Sequence, residues 1–236
     1  MSECKSKRHK LSGYLNAAFL FFFFWYFFIH VGVDGYYRKY ISHKETFLDD
    51  VYYTAKVASY AELNERLART KTYDVFVGDS LIEQFPVTEL FPGRAVLNRG
   101  IGQDTSAGIF RRLEHNVNNV KIARLFLMVG HNDLKYRSVE DASNNIKKIM
   151  INARADKKYF FSILPCADAQ YNDDIMRLNA KIKEASQRNA FLYIDCYHLF
   201  LAPNGSVASQ YYYDGTHLNT TGYLKLKKLI ESTIDL

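Results

Sequence analysis

Three distant segments of the chain carry residue types that suit acyl-transfer chemistry. The run Tyr73-Asp-Val-Phe-Val-Gly-Asp-Ser80 delivers a serine at the end of a strand-like apolar stretch. Ala123-Arg-Leu-Phe-Leu-Met-Val-Gly-His-Asn-Asp133 delivers an asparagine in the equivalent place. Near the C-terminus, Asp214-Gly-Thr-His217 sets a carboxylate three residues before an imidazole. A serine hydroxyl attacks an acyl carbon well only when a base takes its proton during the attack. His217 is the candidate base, and Asp214 the candidate group that holds its second ring nitrogen and stabilises the imidazolium. Asn132 is the candidate side-chain donor to the carbonyl oxygen as negative charge develops there, with the Ser80 backbone N–H as a second donor.

Each residue also has a plainer reading. Ser80 sits where a serine caps a helix starting near Leu81, Asp214-Gly-Thr reads as a turn, and Asn132 as a loop cap. Asp133 reads as a loop-fixing residue and Asp104 as an N-cap. His9, His30, His43, His115, His131 and His198 are passed over for want of a suitably spaced partner, although His131 lies within the candidate site.

Four blocks in order, Gly78-Asp79-Ser80-Leu81, Asn98-Arg-Gly-Ile-Gly-Gln-Asp-Thr105, Gly130-His-Asn-Asp133 and Asp214-x-x-His217, resemble the SGNH hydrolases, also called the GDSL family. In style they are similar to the acetylhydrolase branch related to platelet-activating-factor acetylhydrolase. The resemblance covers residues 72–236. It implies a flavodoxin-like, three-layer α/β sandwich with five central parallel strands. It also implies a triad of Ser80, Asp214 and His217, and an oxyanion hole built from Ser80, Gln103 and Asn132. The family usually has glycine where this chain has Gln103. A glutamine keeps the backbone N–H, but strain follows if glycine-only angles are needed, or donation shifts to Gly102. Gly102 and His131 are the candidate substrate-contacting residues. The implied activity is a serine esterase that removes short acyl groups, acetyl above all, from a carbohydrate or lipid, without metal or organic cofactor.

Other chemistries use the same residues. An O-acyltransferase would resolve the acyl-serine with a sugar hydroxyl instead of water. A metal-dependent phosphoesterase would gather Asp79, His131, Asp133, Asp214 and His217, yet it would leave the serine without a role and lacks the local ligand clusters of dinuclear sites. An inactive binding module would have no need of the complete set.

The elements that must position these residues alternate from Tyr73 onward. Strands are expected at Tyr73–Gly78, Ala95–Asn98, Ala123–Val129, Tyr159–Leu164 and Phe191–Asp195. Helices are expected at Thr105–His115, Val139–Ala153, Asp173–Arg188 and Asn219–Ile234. Continuous apolar strands separated by helices point to a parallel sheet covered on both faces, with ligands beyond its carboxyl ends. Lys44 to Thr70 has helical spacing and either stands the domain off a bilayer or packs against the sheet.

Ahead of this domain, Leu11 to Val33 is almost uninterrupted apolar sequence centred on Phe19-Leu-Phe-Phe-Phe-Phe-Trp-Tyr-Phe-Phe-Ile29. As a helix it rises about 34 Å, enough to cross a hydrocarbon core of about 30 Å. Lys5, Lys7, Arg8 and Lys10 precede it, which keeps the N-terminus cytoplasmic and the rest outside. The expected organisation is a basic tail (1–10), a signal-anchor helix (11–33), a connection with a helix (34–71) and the hydrolase domain (72–236). A cleaved signal peptide has a shorter apolar region and a small-residue cleavage site, which this run lacks. The formal charge of +6 lies mainly in residues 1–40, so a nucleic-acid-binding surface is not expected on the domain. Cys4, Cys166 and Cys196 match no metal spacing. Cys166 and Cys196 read as buried residues, or as a disulfide if their strands are neighbours in an oxidising compartment.

Overall fold

The computed structural model describes residues 20–26, 50–67 and 69–234. The chain divides into two compact units, Met1–Glu45 and Thr46–Leu236. In the first, residues 20–26 form helix with every large side chain exposed. The remainder of the expected span 11–33 lies outside the described residues, as do the basic tail 1–10 and residues 34–49. Among the described residues no helix is long and apolar enough to cross a membrane.

The second unit is an α/β sandwich around a five-stranded, wholly parallel sheet of order β2-β1-β3-β4-β5. Its strands are β1 (Tyr73–Gly78), β2 (Val96–Gly100), β3 (Ile122–Met128), β4 (Lys157–Phe161) and β5 (Leu192–Ile194). Alternation along each strand sorts side chains to two faces. Val75, Val77, Leu125, Leu127 and Phe160 face one core, where helices α4 (Ser106–Leu113), α5 (Val139–Asn152) and α6 (Asn172–Arg188) pack. Phe76, Phe126, Tyr159 and Phe161 face the other, covered by the short α2 (Ser80–Glu83) and α3 (Val87–Leu90) and by α7 (Thr220–Thr233).

That second face is an aromatic ladder. Phe76, Phe126 and Tyr159 are register partners on β1, β3 and β4, and their rings stack at 4.4 and 5.0 Å. Such pairs add to the gain from burial itself. Phe85 meets Phe76 edge-on and stacks on Tyr223 of α7 at 5.1 Å, which joins α2, sheet and α7.

The chain runs β1 to β2 on one side of the sheet, then returns to β3 on the other side of β1. The topological switch point therefore lies at the carboxyl ends of β1 and β3. Close packing there requires glycine. A Cβ on Gly78 would sit 2.3 Å from the Met128 carbonyl oxygen, and one on Gly100 would sit 2.2 Å from the Glu83 nitrogen. The missing side chains let α2 lie directly against the strand ends.

Helix α1 (Val51–Glu65) packs within this unit rather than standing off it. Tyr53 and Tyr60 bury against Ile101, the Tyr60 hydroxyl donates to the Gly100 carbonyl at 2.7 Å, and Asn64 accepts from the Arg99 guanidinium.

Several boundaries differ from expectation. β2 continues through Arg99 and Gly100, because Tyr60 and Asn64 give the buried guanidinium its partners. β4 runs earlier, ending at Phe161. Beyond it Ile163 leaves the ladder and exchanges two hydrogen bonds with the Asn179 side chain. Thr105, not Asp104, caps α4, accepting from Gly108 N. That helix ends at Leu113 in a π-turn over Glu114–Asn118. Cys166 and Cys196 are buried and free.

Candidate active site

Asp79, the residue after β1, is extended and caps α2 by accepting from Leu81 N at 3.0 Å. Ser80, expected as a possible cap, is instead the first helical residue, and its hydroxyl is released from capping. Its Oγ lies 2.9 Å from His217 Nε2, across 137 residues of sequence. His217 Nδ1 lies 2.6 Å from Asp214 Oδ2.

The Asp214–His217 segment is not a helical turn. Gly215 takes φ +84°, a left-handed conformation that interrupts a helix, and an antiparallel bridge between Tyr212 and Leu218 closes the loop. Asp214 Oδ1 accepts from the Thr216 and His217 backbone N–H groups at 2.9 and 2.7 Å. Burial pushes this carboxyl up, but those bonds and the imidazole outweigh it and hold it at about 2. Asp214 is thus charged wherever His217 can act as a base. Tyr213 lies flat on the His217 ring, with centroids 5.6 Å apart and 14° between planes, and its hydroxyl donates to Gln84 Oε1 at 2.9 Å.

The three expected oxyanion donors follow three adjacent strands: Ser80 after β1, Gln103 after β2 and Asn132 after β3. Asn132 Oδ1 accepts from Lys135 Nζ at 3.1 Å, and Nδ2 donates one hydrogen to the Asp104 carbonyl at 3.1 Å. The amide is thereby oriented, with its second N–H left for a ligand. Gln103 is exposed at φ +62°, so the glutamine does occupy angles that favour glycine, at a cost of about 1–3 kcal/mol. Donation cannot pass to Gly102, because its N–H is committed to Glu83 Oε2 at 2.9 Å. His131 is buried beside the site, its ring tilted against Tyr171. Burial and the Lys135 and His217 charges push it down to about 4, so it is neutral.

Glu83 is a residue that sequence reasoning missed. Besides Gly102 N, its carboxylate receives the Tyr52 hydroxyl and, at 2.9 Å, Lys56 Nζ, both from α1. It therefore joins the serine helix, the Gly102–Gln103 loop and α1. Its spacing three after Ser80 was visible, but partners 19 to 31 residues away were not.

A second omission is His198. Asp195 stands three residues before it, and Nδ1 lies 2.7 Å from Asp195 Oδ2, so a suitably spaced partner does exist.

Beneath the donors lie three buried carboxyls. Burial pushes Asp79 and Asp104 each up to about 6, against the Leu81 N–H and Arg112 respectively. Burial pushes Asp133 up to about 7 despite two bonds from Ser106, and the Asp104 and Asp79 charges add to the rise. The two Ser106 bonds tie the Asn132 loop to the start of α4, and Asp133 also accepts from Arg137 at 3.1 Å. These groups are spent on protein partners. Among the described residues no cluster of His, Cys, Asp or Glu could hold a metal ion.

The profile of the GDSL-like lipase/acylhydrolase family matches residues 53–225. The chain belongs to that family. It is a serine ester hydrolase of the SGNH type. No curated protein matches the sequence. Among solved structures, a GDSL-like lipase from Bacteroides thetaiotaomicron is similar at 24% identity and TM-score 0.67, covering 76% of this chain and 97% of that one. A lipase/acylhydrolase from Enterococcus faecalis is similar at 22% identity and TM-score 0.61, covering 70% and 95%. The acetylxylan esterase Axe2 from Geobacillus stearothermophilus shares the fold at 14% identity and TM-score 0.60, covering 72% and 97%.

Two outcomes are expected. Replacing Glu83 by Ala frees the Gly102–Gln103 loop and should lower kcat on p-nitrophenyl acetate by about 10- to 100-fold. Glu83→Gln, which can still accept from Gly102, should lose less, and equal kinetics for both variants would refute the tie. Asp79, raised by burial, lends stability that is complete below the ordinary carboxyl range and lost as pH rises through about 6. Asp79→Asn keeps an acceptor for Leu81 N, so relative to the native protein it should gain roughly 3 kcal/mol between about pH 4 and pH 8. Parallel unfolding curves whose difference stays flat would refute this.

Proposed function

We propose that the protein is a membrane-anchored serine esterase that removes short acyl groups, acetyl above all, from a carbohydrate or lipid. The observation that carries the reading is the alignment of Ser80 Oγ, the His217 ring and the Asp214 carboxylate through contacts of 2.9 and 2.6 Å. Within a serine ester hydrolase, that line supplies a nucleophile, a base and the charge that steadies the base.

In the proposed cycle, Ser80 Oγ attacks the ester carbon as its proton moves to His217 Nε2. The carbonyl oxygen becomes an oxyanion held by the Ser80 and Gln103 backbone N–H groups and the free N–H of Asn132. Asp214 stabilises the imidazolium, and the parallel Tyr213 ring keeps it in plane. The C–O bond then breaks, the leaving alkoxide takes the proton from Nε2, and an acyl-Ser80 ester remains. Water repeats the sequence: His217 accepts its proton, the hydroxide oxygen bonds to the acyl carbon, and Ser80 departs reprotonated as the acid is released. The fold shared with an acetylxylan esterase supports acetyl on a carbohydrate as the ester cleaved.

The anchor reading rests on the apolar run 11–33. Its described part, residues 20–26, is helical, with Leu20 to Tyr26 all more than half exposed. A helix apolar on every face needs an apolar surrounding.

Ser80→Ala and His217→Ala should each abolish ester hydrolysis and labelling of Ser80 by a fluorophosphonate, with unfolding midpoints unchanged. Asn132→Ala should slow turnover about 100- to 1,000-fold. Near-native rates in all three would sink the triad. For the anchor, the full chain should remain with membranes after alkaline extraction. Release into the supernatant, or a mature chain shorter by about 30 residues as after signal cleavage, would refute it.

A further inference from the structure

A cleft of about 920 Å³ lies beside the proposed triad, within the range of about 300–1,000 Å³ that ligand clefts occupy. Its place follows from topology. Ser80, Gln103 and Asn132 stand after β1, β2 and β3, whereas the cleft is walled by segments after β4 (Ala167) and after β5 (Tyr197, His198). It therefore continues along the same carboxyl rim of the sheet. Tyr213 and Gly215 are the junction: both line the cleft, and they flank Asp214 in the loop that carries His217. Ala167 N donates to the Gly215 carbonyl at 2.8 Å, which holds the cleft wall against that loop.

The lining mixes two chemistries. Tyr213 is 60% exposed although one face of its ring lies on His217, so the rest of the ring is open to solvent. Met176, on α6, is 47% exposed. The same lining includes His198, whose ring packs edge-on against Tyr197 and which is oriented by Asp195 through Nδ1 at 2.7 Å and through its backbone N–H at 3.2 Å. The local arrangement matches that of Asp214 and His217, but no serine reaches this imidazole, and Nε2 has no partner among the described residues. An oriented imidazole next to an aromatic ring suits a ligand with apolar ring faces and hydroxyl edges. An acyl chain would instead need a dry, wholly apolar channel, where an unpaired imidazole is costly.

We propose that this cleft binds the sugar units flanking the acylated one, so that the substrate is an acylated oligosaccharide lying along the carboxyl rim. The proposal rests on the esterase reading and narrows its substrate to carbohydrate. His198 hydrogen-bonds a sugar hydroxyl, and Tyr213 and Met176 cover the ring faces. Binding energy from these non-reacting units is available to raise kcat/KM for longer substrates.

The test uses the full chain in detergent with p-nitrophenyl acetate, p-nitrophenyl palmitate, and O-acetylated xylo-, manno- and chito-oligosaccharides of one to six sugars, following acid release. At least one series should show kcat/KM rising about tenfold or more from monomer to tetramer. His198→Ala should flatten that rise, and His198→Gln should restore part of it. If p-nitrophenyl acetate is cleaved while length has no effect in any series, or if the rise survives in His198→Ala, the subsite is refuted and the esterase stands. A preference for the palmitate that His198→Ala alters would assign the cleft to lipid and also overturn the proposal. If no ester is cleaved, the esterase reading fails, and calorimetric titration with the unacetylated hexamers decides the subsite: absence of binding in all three overturns it.

Discussion

The buried pair of Arg112 and Asp104 organises the carboxyl rim. Taking a guanidinium and a carboxylate out of water costs several kcal/mol per ion, which is sustained only by close pairing and further hydrogen bonds. Arg112 Nε meets Asp104 Oδ2 at 2.8 Å, and Nη2 donates to the Gly78 carbonyl at 3.3 Å, two residues before Ser80. Asp104 in turn accepts from Thr105 N, and its backbone carbonyl accepts from Asn132. One ion pair thus connects the ends of β1, β2 and β3, where the proposed nucleophile and the two other proposed oxyanion donors stand. Preorganised donors are effective because they need not reorganise as charge develops.

The helix that begins with Ser80 has only four residues, too few to be stable by itself. Neighbours hold it at every position. Asp79 caps its start, the Tyr223 hydroxyl of α7 donates to the Leu81 carbonyl at 2.8 Å, and the Asn98 amide donates to the Ile82 carbonyl at 2.6 Å. Glu83 carries the connection outward to α1 and the Gly102–Gln103 loop, while Gln84 carries it to Tyr213 and so to His217. Rigidity at the serine is therefore a property of the assembled domain. The strain at Gln103 is tolerated in the same way, by fixed residues on either side.

Much of the framework was legible because its causes are local. Strands covered on both faces must be apolar throughout, and β1 was readable to the residue for that reason. Helices α5, α6 and α7 carry apolar positions at helical spacing, and α5 and α7 start at cap-forming Ser138 and Asn219. The failures had long-range causes. Arg99 ends an apolar run by type, yet a tyrosine and an asparagine from α1 bury it in β2. Asp104 has the right type for a cap, but Arg112, eight residues on, draws it into the interior and leaves the cap to Thr105.

The chain contains two Asp-x-x-His pairs, and the sequence by itself determined the local geometry of each. Three-residue spacing lets the carboxylate reach both the imidazole and the backbone N–H of its own histidine, in Asp195–His198 as in Asp214–His217. Strand ends likewise determined that Ser80 and Asn132 would stand on the carboxyl rim. Only the tertiary structure decided which imidazole meets the serine. The path of the chain after β5 brings His217 to within 2.9 Å of a hydroxyl 137 residues earlier, while His198 lines the cleft beside it. Spacing governs contacts a few bonds apart, whereas meetings across the sheet depend on the packing of every element between them.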